Sequence, residues 1–482
     1  MKRKVYTLGL LLAFGAVYGQ TASADGIYYV SNNGKNIGTA GNSWGNPHND
    51  LGLVLAEAKR RGVEAKVYVE KGIYSPTTYK DHKVATTIQR NTDKNLSFTI
   101  PNNVKVFGGF NIDNNVISEG DRKRYEKGNT TILDGSYKYG PNPTDYINYY
   151  HVVTMIAKET GYIDGFTIAN GAANGGDSAD SFSMNKSFGG GVHVQNGTII
   201  LKNCIVRSNF SENRGGALYV EKNGANLFVI NSIIYKNISD GDGSAVYAND
   251  KGKAFIINST ITDNTSRVNS NGGTLHVKAS GNITTLNSIL WNNYRNSNVL
   301  ANISGGSGSD FTVNNNVINA NSSTTSLTNS SGLYNFDPKF VDAVNADFRL
   351  AKVSEAIDKG INSNYNNIKY GSLLVNDTSK DFDILGKPRA EGNIDLGAVE
   401  FSTLGIEDQN VNKSLKVYPN PTTGAFYIEV SQQEVAIVYN ITGQLMKSVQ
   451  LKAGKNQVDI SNLQAGYYII KTNNGSFNLI KK

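Results

Sequence analysis

The phrase GGALYV at 215–220 is written four times with small changes: GGGVHV at 189–194, GGALYV itself, GSAVYA at 243–248 and GGTLHV at 272–277. The first large apolar residue of each copy is Val192, Leu218, Val246 and Leu275, so the period runs 26, 28 and 29 residues. A period of this size demands a repeat architecture before any other reading. A second phrase falls between the copies: NCIVRSN at 203, NSIIYKN at 231, NSTITDN at 258, NSILWNN at 287 and NNVINAN at 315. Each follows a short run rich in β-branched and aromatic residues, bounded by Gly and Asn, which reads as a strand. Three such strands fit in each repeat. A strand that returns to the same place every turn makes a parallel β-helix, with equal positions stacked about 4.8 Å apart.

The stacked columns can be written down directly. Val192, Leu218, Val246 and Leu275 form one inward apolar column, and Val206, Ile234, Ile261, Leu290 and Ile318 form another. Asn209, Asn237, Asn264, Asn293 and Asn321 form a third, at a turn where Asn tolerates unusual backbone angles and its amide can bond to the Asn above and below. The Gly doublets mark a corner that needs positive φ or has no room for a side chain. Cys204, the single cysteine, sits where Ser232, Ser259 and Ser288 stand in later repeats, so it reads as a buried filler with no disulfide partner. The phase of NSIIYKN is open between Ile233 and Ile234. If the first faces out, Ile205, Ile233, Ile289 and Val317 lie beside Arg207, Tyr235 and Trp291 on a surface that must be covered or used for binding.

The chain ends read differently. Lys2, Arg3 and Lys4 precede an apolar stretch and small residues, the pattern of a secretory signal peptide over 1–24 with cleavage after Gly19 or Ala24. After DGIYYVSNNG, the segment NDLGLVLAEAKRRG places Leu51, Val54, Leu55 and Ala58 at helical spacing behind Asn49 or Asp50, an amphipathic cap for the open end of the first coil. DFRLAKVSEAIDKG and NIDLGAVEF look like the final coil and its closure. The formal net charge is +7 over 482 residues. The leader holds three cations and no acid, and residues 412–482 hold eight Lys against Glu429, Glu434 and Asp459. What lies between is near neutral, which argues against a nucleic-acid partner.

Read in order, IYYVSNNG, NSWGNPHNDLGLVLAEA, VYVEKGIYSP, VFGGF, TILDG, IDGFTIANG, FDPKFVD, DFRLAKVSEAIDKG and NIDLGAVEF resemble the right-handed parallel β-helix surface proteins with a choice-of-anchor Q domain, relatives of the pectate-lyase-like superfamily. The resemblance spans roughly 25–402, with regular coils at about 161–321. It implies an all-β, three-sheet, right-handed solenoid displayed on a bacterial surface, and no defined reaction. From 415 to 482 the chain reads LKVYPNPTTGAFYIEV, VAIVYNITGQLMKSVQL, KNQVDISNLQAGYYIIKT and FNLIKK. This resembles the type A sorting domain of the type IX secretion system, and alternation with turn signals suggests a small β-sandwich of about seven strands. That resemblance implies the secretion machinery as partner, removal of the tail by cleavage in the polar linker 403–414, and linkage to surface lipopolysaccharide or release.

Carboxylates are few in the regular coils. Asp240 and Asp242 in SDGDGSA could bind Ca²⁺ or act as a catalytic pair, against the plainer reading of a solvated Asp-Gly turn; no other cofactor is implied. The residue after each inward apolar position is His193, Tyr219, Tyr247 and His276. By alternation these four point outward in a file about 14 Å long; they read either as rings that support one another in a stack and bind nothing, or as a platform on which sugar rings can stack. Tyr235 and Trp291 are further candidate contacts. Two readings result: a secreted surface protein that binds extracellular polysaccharide or another host or matrix polymer, and a polysaccharide-degrading enzyme, lyase before hydrolase.

Overall fold

The computed structural model describes residues 22–35, 40–122, 130–138, 146–268, 272–296, 299–305, 310–319, 329–366, 369–370, 373–374, 381–389, 392–401, 417–430, 432–440, 444–472 and 475–482. Most of the leader, the 403–414 linker and Asn321 lie outside these. The chain divides into two units, Met1–Phe401 and Ser402–Lys482.

Short apolar runs broken by Gly and Asn become strands of two to five residues, four to a turn. In one turn these are Val192–Val194, Thr198–Lys202, Ile205–Arg207 and Phe210–Ser211. Each pairs in parallel with its equivalent in the next turn, so Val192 meets Leu218, Val206 meets Ile234 and Phe210 meets Ile238. The registers Leu218↔Val246↔Leu275 and Ile234↔Ile261↔Leu290 continue the two apolar columns as the repeat requires. The second and third strands of each turn join round a bend into a 17-stranded sheet. The first strands form a seven-stranded sheet and the fourth a six-stranded one. The unit is therefore a three-sheet parallel β-helix.

One apolar core runs through the bore from Tyr28 to Ile318. The helix Leu51–Arg61 contributes Leu51, Val54, Leu55 and Ala58 to it. Asp50 is its N-cap, accepting from Leu53 N at 3.1 Å, and Gly62 ends it in the left-handed region.

Two ladders of polar side chains lie buried inside the turns. Asn209 Nδ2 donates to Asn237 Oδ1 at 3.0 Å, Asn237 Nδ2 to Asn264 Oδ1 at 2.9 Å and Asn264 Nδ2 to Asn293 Oδ1 at 3.0 Å. The second ladder runs through Cys204, whose N–H donates to Ser232 Oγ at 3.0 Å, and on through Ser259 and Ser288. Cys204 is a buried member of that Ser column, and burial pushes its thiol pKa up to about 12. The unusual backbone angles expected at the Asn column fall one residue earlier, on Ser208, Lys236, Asp263 and Asn292, all at φ between 53° and 56°. The left-handed residue turns outward, and that reversal is what drives the following Asn amide into the bore. In the Gly doublet both reasons hold, one for each residue. Gly215 sits at φ 66°, whereas a Cβ on Gly216 would stand 2.5 Å from the Ile238 carbonyl oxygen.

The segment after 334 does not close the solenoid with another coil. It lies along the outside of the bent sheet, with Phe348, Ile384, Ala398 and Val399 on Ile205 and Ile233, and Leu350, Ala356 and Leu396 on Ile289 and Val317. Ile234 thus faces in and Ile233 out, and the outward isoleucines are covered. The first Asn of each NS phrase, itself at positive φ, grips this wrap: Asn231 donates to Tyr365 Oη at 2.9 Å, Asn258 to Asp395 O at 2.9 Å and Asn287 to Ile361 O at 3.0 Å.

Among its described residues the second unit holds seven strands in a three-stranded and a four-stranded antiparallel sheet. Between them lies an apolar core that includes Phe426, Ile428, Val438, Val458 and Ile470.

Candidate functional site

Registers His193↔Tyr219↔Tyr247↔His276 stack the four rings on the outer face of the seven-stranded sheet, flanked by Thr154 and Ser304. They point away from the bore as alternation requires. The exposure expected of a sugar platform is corrected: His193, Tyr219 and Tyr247 are 0% exposed and His276 8%. The cause is a loop between Ala173 and Val192, longer than its counterparts in later turns. Its Phe188 packs on Tyr219 with ring centroids 4.9 Å apart, and the Arg214 guanidinium lies 5.1 Å from the Phe188 ring and 5.5 Å from that of Tyr247. The loop is tied down by a fully buried ion pair, Lys80 to Asp180, and by Met184, itself buried. Burial pushes the Lys80 ammonium below its usual pKa, against the pull of Asp180.

Beneath that cover the rings form an edge-bonded file. His193 meets Tyr219 at 4.9 Å and near a right angle, Tyr219 meets Tyr247 at 5.5 Å, and Tyr247 stacks on His276 at 4.7 Å. Their polar edges reach the rim of the sheet. His193 Nε2 lies 3.2 Å from Glu221 Oε1, Tyr219 Oη donates to Glu221 Oε2 at 3.4 Å, and Asn249 Nδ2 donates to Tyr219 Oη at 3.1 Å. Burial raises the Glu221 carboxyl, but the His193 hydrogen bond and charge outweigh it and hold the pKa below the usual range. Burial lowers His276, opposed by Asp242, and pushes Tyr247 up to about 12. The file acts as a foundation: its hydroxyl and imidazole edges fix Glu221 and Asn249 at the rim.

The other expected residues are placed apart. Asp240 faces Arg267 at 3.2 Å, and Asp242 faces His276 at 3.9 Å. The two carboxylates turn to different partners, and no cluster of three or more His, Cys, Asp or Glu able to hold a metal forms among the described residues. Tyr235 packs edge-on against Phe348 at 5.3 Å, and Trp291 joins the cluster of Leu350 and Leu396, both under the wrap. They are corrected from surface contacts to half-buried packing residues.

Lys80, Asp180, Arg214 and Glu221 were not singled out from the sequence. Lys80 and Asp180 stand 100 residues apart outside the repeat, where no period relates them. Glu221 could have been found, because it follows the file by two positions on the same strand face.

A solenoid with buried polar ladders, ended by a small antiparallel sandwich, defines the class: a repetitive β-protein with an accessory domain. Residues 416–482 match the family described as Secretion system C-terminal sorting domain. The protein is therefore secreted, at the cell surface or extracellular, and its tail engages the secretion machinery. No curated protein matches the chain. A solved structure titled "The complex structure of XylC with xylose" is similar at 10% identity over 90% of this chain and 100% of that one, with a TM-score of 0.20. At that score the likeness carries no argument.

Proposed function

We propose that the first unit is a choice-of-anchor Q-type β-helix that binds extended extracellular polysaccharide. In this reading residues 1–24 are a signal peptide, the tail directs export through the type IX system, and the passenger is joined to lipopolysaccharide or released. The observation that supports it is the sorting domain in the same chain as a solenoid that carries a polar residue at one register position of its corner in successive turns, Asn226, Lys253 and Asn282. A linear polymer laid along such a flank meets a polar side chain at every step of about 4.8 Å.

The buried His193–Glu221–Tyr219 set keeps a second reading in view, a polysaccharide lyase, which needs a base to take an α-proton and a cation beside the uronate. One experiment separates them. The full chain is passed over immobilised glycans, and the same glycans are followed for absorbance of unsaturated uronides. Retention without product supports binding; product formation moves the protein to the lyase class. Retention by no glycan contradicts both.

A further inference from the structure

The corner where the seven-stranded sheet hands the chain to the bent sheet carries Lys158, Lys222, Lys251, Lys253 and Lys278, all exposed. None of the five is ion-paired among the described residues. The near-neutral charge of the solenoid conceals this ridge, because its compensating acids are engaged or lie elsewhere. Glu159 pairs with Lys59 and Glu221 with His193, while Asp250 and Asp310 stay exposed carboxylates beside the five lysines, Asp310 at the far end of the row where it accepts from Asn282 at 2.9 Å. Register places Thr198, Asn226, Lys253 and Asn282 in one row along the ridge.

At its start lies a recess of about 350 Å³ lined by Lys158, Asn196, Gly197, Asn223 and Gly224. Gly224 at φ 93° has open space where a Cβ would stand and so leaves the hollow clear, whereas at Gly197, φ 70°, a Cβ would stand 2.2 Å from the Ala157 carbonyl oxygen; an ammonium group and two amides surround the recess.

We infer that this ridge holds an acidic polysaccharide, its chain running along the solenoid axis. The ammonium groups face the carboxylates or sulfates of the sugar, and the Asn amides take its hydroxyls. Lysines on four of five successive coils, interleaved with Asn and Thr rather than stacked in one column, suit a linear polyanion, and the polar residues that line the corner offer no exposed ring on which a base could stack, which favours a sugar over a nucleic acid. The inference rests on the polysaccharide-binding reading and names the ligand class for it.

The test is affinity electrophoresis of the full chain through polygalacturonate, a sulfated galactan, a neutral cellulose derivative and single-stranded DNA. It is run at low and high salt, beside a variant carrying Lys222→Gln, Lys251→Gln, Lys253→Gln and Lys278→Gln. The wild type is retarded by acidic polymers, the comparison of uronate with sulfate showing which acid is preferred. High salt weakens the retardation, and the variant binds about tenfold less tightly with an unchanged thermal melt. Equal retention of the variant, or DNA binding as tight as that of the acidic sugars, overturns the ridge. Retention by the neutral polymer alone overturns the ridge and leaves the broader reading standing; retention by none overturns both.

Discussion

Asn264 shows how much of the fold is held by single side chains. Its amide is wholly buried and donates to the Ile234 and Thr262 carbonyls at 2.9 and 3.0 Å as well as to Asn293, while its Oδ1 accepts from Asn237. Truncation strands donors and acceptors where water cannot reach. Asn264→Ala should cost about 1–3 kcal/mol in urea denaturation, whereas Lys253→Ala at an exposed position of the same turn should cost far less. Tyr219 gives the contrasting case of an outward residue that belongs to the packing. It touches Phe188, His193 and Tyr247 and is 0% exposed. Tyr219→Ala should therefore destabilise by about 3–5 kcal/mol, seen as a lowered thermal midpoint. An unchanged midpoint would mean that the rings are a free surface after all. Alternation told inside from outside for all four rings. It could not tell outside from exposed, because the cover comes from residues that share no period with them.

At the scale of elements, two non-repeating segments decide which faces of the solenoid are open. The 174–191 loop is held by Lys80 and Asp180, whose side chains are 0% and 1% exposed. Lys80→Ala leaves a buried carboxylate without its partner and should cost about 3–5 kcal/mol; Lys80→Met with Asp180→Asn, which removes both charges and keeps an oxygen for the Phe182 and Met184 N–H groups, should recover part of that. Hydrogen exchange over 174–191 checks both. The outer wrap has its own buried polar knot. Arg389 is ion-paired to Glu400 and donates to the Ala398 carbonyl at 3.0 Å, while Asp395 accepts from Asp358 N at 2.7 Å and Asp383 accepts from Glu400 N at 2.8 Å. Burial outweighs the pull of Arg389 and raises Asp395 to about 6 and Glu400 to about 7. Both folded values lie above the usual carboxylate range, so the folded chain keeps protons that the unfolded chain releases. The stability these groups add is complete below about pH 4 and is lost as pH rises through 6 and 7. Glu400→Gln should flatten that fall in a series of melts from pH 4 to 8. The strands, the cap helix and the seven-stranded tail were legible because period and alternation write them into neighbouring letters. The wrap read as a last coil because DFRL and NIDLGAVEF carry strand-like alternation; what sends them outside is the outward row Ile205, Ile233, Ile289 and Val317, which needs cover.

The solenoid as a whole depends on registry: residues one period apart in the chain are vertical neighbours. Asn226 and Lys253 are register partners on an exposed corner, 27 residues apart in sequence. Partners on adjacent parallel strands stand about 4.8 Å apart, within disulfide reach, whereas Asn226 and Phe255, offset by two residues, stand about 8 Å apart and beyond it. In a Cys204→Ser background, Asn226→Cys with Lys253→Cys should close a disulfide on mild oxidation, and Asn226→Cys with Phe255→Cys should not. Peptide mapping of the oxidised chains reads the outcome. A crosslink in the first pair alone is the result predicted; efficient closure of the second pair, or of neither, would contradict the stacked solenoid.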